Sequence, residues 1–71
     1  MIVYLAEMQE NEYETSSWVV GIYSTKEKAE NAIINELIDL DIPVLSLEIY
    51  DSMRDTLDID YDYWITEMKV E

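Results

Sequence analysis

Gly21-Ile22-Tyr23-Ser24-Thr25-Lys26-Glu27-Lys28-Ala29 reads as the end of a strand, a helix cap and the first turns of a helix. Ser24 is the expected N-cap, and Glu27 three residues on completes a Ser-x-x-Glu capping box. In that box the Ser24 hydroxyl accepts from the Glu27 amide, and the Glu27 carboxylate accepts from the Ser24 amide. Glu27 also lies near the positive end of the helix dipole. The stretch therefore predicts a sheet that hands over directly to a helix.

Upstream, residues 2–8 (Ile-Val-Tyr-Leu-Ala-Glu-Met) are rich in strand formers. Residues 9–16 are polar, carry Glu10, Glu12 and Glu14, and read as a hairpin connection. Residues 17–23 read as a second strand antiparallel to the first, with Gly21 marking a bulge or a close approach.

Downstream, a helix is expected over 25–40. At helical spacing Ala29, Ala32, Ile33, Leu37 and Leu40 share one face, and Ile34 and Ile38 widen it. An arc this wide suits two neighbours: the sheet, and either a further helix or another copy of the chain. Asp39 and Asp41 sit at the negative end of the dipole, where acids are unfavourable. Pro43 stops the helix. Leu45, Leu47 and Ile49 alternate as in a strand. Yet Ile49, Tyr50, Met53 and Leu57 follow helical spacing, with Asp51, Asp55 and Asp58 opposite. That division favours a second helix near 46–57, capped by Ser46.

Residues 63–70 read as the last strand, with Trp64, Thr66, Met68 and Val70 on one face. Tyr63, Ile65, Glu67 and Lys69 take the other. The expectation is one α+β domain over residues 1–71, a small three-stranded sheet in β-β-α-α-β order packed by one or two helices. The last strand is expected to run parallel to the first through the helical crossover.

The chain has 71 residues, 49% of them hydrophobic, so it supports a core. It has no Cys and no His, which excludes disulfides, zinc–thiolate sites, thiol catalysis and nucleophile–His arrangements. No catalytic residue, cofactor or metal is expected, and the protein is not read as an enzyme. Asp58-Ile59-Asp60-Tyr61-Asp62 has the spacing of a calcium loop. Tyr63 stands where such a loop needs Gly, and Lys69 where it needs a bidentate Glu, so a polar loop is the preferred reading. No apolar stretch approaches the ~18 residues of a membrane span, and a cytoplasmic location is expected.

Net charge is −13, from 17 acidic and four basic residues. Such a chain repels nucleic acid and anionic membranes and favours basic protein surfaces. The plain alternative is a solvated acidic surface. The aromatics are six Tyr and two Trp. Trp18 and Trp64, each in mid-strand, are expected in the core, whereas Tyr13, Tyr61 and Tyr63 lie beside acids and suit either the core or a partner anchor.

The Tyr4 strand, the Gly21–Ala29 run and the closing Tyr63-Trp64-Ile65-Thr66-Glu67 together resemble a group of small uncharacterised phage and bacterial proteins. Those share a "VY…G-hydrophobic-YSS-x-E-x-A" pattern followed by a terminal strand. The likeness covers about half the chain and implies a strand–strand–helix–strand domain with no known active site. In size and charge the chain also resembles phage anti-CRISPR and anti-restriction proteins that mimic DNA.

The leading expectation is a phage-type inhibitor acting in the host cytosol by DNA mimicry. It would bind the nucleic-acid channel of a nuclease or CRISPR effector, with no direct contact to nucleic acid or membrane. Asp51, Asp55, Asp58, Asp60 and Asp62 would stand in for phosphates and Tyr61 would be an anchor. Asp39, Asp41, Glu10, Glu12 and Glu14 would complete the partner-binding acids. The alternative is a structural or assembly domain acting as a homo-oligomer, with a homodimer through Ile34 and Ile38.

Overall fold

The structure, a computed structural model, describes residues 1–11, 16–57 and 59–70. Its elements are β1 (Ile2–Glu10), β2 (Ser16–Tyr23), α1 (Lys26–Asp39), α2 (Leu47–Leu57) and β3 (Tyr61–Lys69). The α+β class and the β-β-α-α-β order are those expected. The strands are longer, because Gln9, Glu10, Ser16, Tyr61 and Asp62 all join the ladders. Backbone pairing on both sides of β1 satisfies N–H and C=O groups whatever the polarity of the side chains.

β1 is the central strand of a sheet ordered β2-β1-β3, and both its pairings are antiparallel. The expected parallel pairing of β3 with β1 is thus corrected. The helical crossover leaves from β2, not from β1. α1 returns the chain to the end where β2 began, its Glu36 accepting from Trp18 Nε1 at 3.3 Å. The chain therefore enters β3 running in the direction of β2, which is opposite to β1.

The β1–β2 register runs Tyr4↔Tyr23, Leu5↔Ile22 and Ala6↔Gly21, then resumes at Glu7↔Val19. Val20 is the extra residue of a β-bulge, as Gly21 suggested. Gly21 also makes room for a neighbour: a β-carbon there would lie 2.5 Å from the Tyr23 hydroxyl, so a larger residue would have to push the Tyr23 ring aside.

The core lies on one side of the sheet. Ala6 and Met8 of β1 are fully buried beneath Ala29, Ile33 and Leu37 of α1, with Val44, Leu47 and Tyr50 completing the cluster. Tyr4, Trp18, Val20, Tyr61, Tyr63 and Ile65 surround it. Ile34 packs against this core, while Ile38 is 48% exposed.

α1 begins one residue later than the capping box implied. Thr25, in extended conformation, is the N-cap, and its hydroxyl accepts from the Lys28 amide at 3.1 Å. Ser24 and Thr25 can both cap; the packing of Ala29, Ile33 and Leu37 on the sheet sets the helix phase and so selects Thr25. Ser24 instead accepts from Lys28 Nζ at 3.4 Å. Ser46 caps α2 as expected, accepting from the Ile49 amide at 3.2 Å.

The end of α1 supplies a local reason for Asp41. The Ile42 amide donates to Leu37 O at 2.9 Å and the Asp41 amide to Ile38 O at 3.0 Å. This is a Schellman closure, and it needs a left-handed residue at Asp41, where φ is 64°. Among residues with a side chain, Asp and Asn tolerate that conformation best. Asp41→Gly should raise stability by about 1 kcal/mol, through relief of left-handed strain and loss of a charge opposing the dipole. Asp41→Val should lower it by at least as much, since a β-branched residue resists positive φ. Urea midpoints of the two variants check the signs.

Candidate functional site

α2 turns Leu47 and Tyr50 inward, with Met53 and Arg54 half-buried beside them. Glu48, Asp51 and Asp55 are exposed and fall within an arc of about 60° at 3.6 residues per turn. The apolar face expected from sequence is corrected at Ile49, which is 45% exposed. Leu47 takes its place, because the helix phase is set by Tyr50. The Tyr50 ring lies 5.9 Å from the Tyr63 ring, and its hydroxyl donates to the Tyr61 carbonyl. Burial, helped by the nearby Asp62 and Asp51 and opposed by Arg54, pushes the Tyr50 phenol up to about 12. Tyr63 rises to about 12 as well, by burial and by donating to Asp51 at 3.1 Å.

The acids singled out from sequence divide into distinct situations. Asp51 and Asp55 stand on the exposed face of α2, joined there by Glu48. Asp62 is engaged within the fold: its Oδ1 pairs with Arg54 at 3.0 Å and its Oδ2 accepts from Asn11 Nδ2 at 2.8 Å. That is the one ion pair among the described residues. Asp60 is exposed, and its carbonyl accepts from the Asn11 amide at 2.9 Å. Asp39 and Asp41 are exposed at the far end of α1, and Glu10 is half-buried at the end of β1. Tyr61 is half-buried, edge-on to Trp18 with ring centroids 6.5 Å apart. Glu12, Tyr13, Glu14 and Asp58 lie outside the described residues.

A groove of about 480 Å³ separates the starts of the two helices. Lys26 and Glu30 of α1, Leu47, Glu48 and Asp51 of α2, and Tyr63 and Ile65 of β3 line it. Sequence reasoning missed Glu48, although it sits three residues before Asp51 on the same helical face. Glu30 carries no comparable signal, because tertiary packing alone brings it to this groove. Among the described residues no three acids gather as a metal cage, and no helix is long and apolar enough to cross a membrane.

The other side of the sheet carries no helix. Val3, Leu5 and Glu7 of β1 share it with Val19 and Ile22 of β2 and Trp64 and Met68 of β3. Val19 is 58% and Ile22 61% exposed. Trp18 lies on the core side as expected. Trp64 does not: it is on the open face, where its Nε1 donates to Glu7 Oε1 at 3.0 Å.

Compared with known families, characterised proteins and solved structures, the chain finds no match.

The two raised phenols give a pH dependence with a definite sign. An ordinary tyrosine ionises near 10, so between about 10 and 12 the unfolded chain loses protons that the native chain keeps. The contribution is fully present below pH 10 and falls as pH climbs to 12, by about 2–3 kcal/mol for the fully buried Tyr50. Phenolate absorbance should show Tyr50 and Tyr63 ionising late, and urea midpoints should fall over the same interval. Tyr50→Phe should remove one late phenolate and flatten that fall.

Proposed function

We propose that the protein is an interaction domain that binds a basic, nucleic-acid-binding surface of another protein and competes there with nucleic acid. The observation that supports this most is the surface of α2. Glu48, Asp51 and Asp55 share one exposed face, while Arg54, the only base on the helix, is turned away to Asp62. Asp51 and Asp55, one turn apart, have Cβ atoms ~5–6 Å from each other, so α2 carries a compact row of negative charge. A surface serving stability alone would mix signs, because like charges repel one another in the compact state. The mechanism is steric and electrostatic, and no bond is made or broken. The phage-like sequence pattern and the charge of −13 favour a nuclease or CRISPR effector as the partner and inhibition of host defence as the outcome.

A second reading, assembly as a homo-oligomer, draws on β2. It is an edge strand of eight residues without a single charge, which is a template for strand pairing. Its bulge counts against close pairing, because bulges twist edges away from partners. Sedimentation equilibrium separates the two readings.

In nuclease and CRISPR-effector assays the protein should inhibit, and cognate DNA or added salt should relieve the inhibition. Neutralising the helix face with Glu48→Gln, Asp51→Asn and Asp55→Asn should weaken binding about 10-fold or more, mainly through slower association. Inhibition unaffected by DNA and by salt would contradict the proposal.

A further inference from the structure

We infer that the open face of the sheet is a docking surface for an apolar segment of the partner that carries one arginine, received by Glu7 and Trp64. The inference rests on the reading of a basic partner and names a second place where that partner is gripped.

The face is apolar over Val3, Leu5, Val19, Ile22 and Met68, yet a carboxylate stands in its middle. Glu7 is in the central strand, opposite Val19 on one side and Trp64 on the other. A β-branched residue would serve such a position better. Glu7 is half-buried, and none of the four bases of the chain forms an ion pair with it. A partly desolvated charge without a cation is a cost to the free protein that a partner can relieve. One oxygen accepts from the Trp64 indole N–H, which fixes the carboxylate beside the indole ring. The other oxygen has no donor among the described residues.

A carboxylate held beside an indole matches a guanidinium. Arginine presents a planar fork to a carboxylate and stacks on an aromatic face, whereas lysine supplies only a point charge. The surrounding aliphatic surface then takes the neighbouring side chains of the same segment. Charge decides between this occupant and a second copy of the chain. Two copies face to face would bury two Glu7 carboxylates against each other, between chains of −13 each. A segment with one arginine cancels the buried charge.

The test uses the whole protein and a synthetic amphipathic peptide with leucines along one helical face and a single arginine at its centre. Its control carries citrulline, a neutral isostere, at that position. NMR of the backbone and indole N–H groups reads both location and affinity at physiological salt. The arginine peptide should shift the Trp64 indole and the amides of Glu7, Val19 and Met68. The citrulline peptide should bind roughly 10-fold more weakly. Glu7→Gln, which keeps an acceptor for Trp64, should bring the two peptides level. Equal binding of both peptides to the native protein would overturn the inference, leaving only an apolar patch. Shifts confined to α2 would overturn it too, while leaving the acidic face of α2 as the partner's contact. Concentration-dependent shifts at Val19, Ile22 and Met68 without peptide would overturn it in favour of a second copy.

Discussion

The docking of Tyr50 is the constraint on which the helical side of the molecule depends. Its side chain is wholly buried, and a buried hydroxyl without a partner costs about 1–3 kcal/mol. Donation to the Tyr61 carbonyl removes that cost and ties the first turn of α2 to the start of β3. Once Tyr50 faces inward, the rest of α2 has no rotational freedom. Leu47 must reach the core, Arg54 must meet Asp62, and Glu48, Asp51 and Asp55 must face solvent. The acidic face and the groove beside it are consequences of one aromatic contact.

The second organising fact is that the core is one-sided. A three-stranded sheet with helices on one face would ordinarily show polar residues on the other. Here Val3, Leu5, Val19, Ile22, Met68 and Trp64 share the open face with Glu7, Gln9, Ser17 and Thr66. Apolar surface gathered in one patch marks an interaction site more often than scattered apolar residues do. The chain thus combines two surfaces of different character. Acids on α2 suit long-range attraction, which falls off over a Debye length of ~8 Å at physiological salt. The sheet face suits short-range contact, where desolvated aromatic anchors dominate affinity.

Much of the fold was legible because the elements carry strong local signals. Runs of strand-forming residues identified the strands, Gly21 marked the bulge, and helical spacing of Ala29, Ile33 and Leu37 found the core face of α1. The failures came where local chemistry allowed two answers and packing chose. Ser24 and Thr25 could each cap α1. Ile49 and Leu47 could each belong to the inner face of α2, until Tyr50 fixed the phase. The direction of β3 followed from the strand that launches the crossover, which periodicity does not report. Trp64 sat on the strand face opposite Tyr63 and Ile65, as the alternation required. Nothing in the sequence said which of those faces the helices would cover. Asp62 looked like its neighbours in sequence, and only the fold brings Arg54 and Asn11 to it.

Native-state hydrogen exchange of Tyr50→Leu tests the central claim most directly. If Tyr50 is what holds α2 to the sheet, the amides of α2 should lose protection far more than those of β1, which keeps both its ladders. Retention of α2 protection relative to β1 would contradict the account, because α2 would then be held, and its acids oriented, by something other than Tyr50.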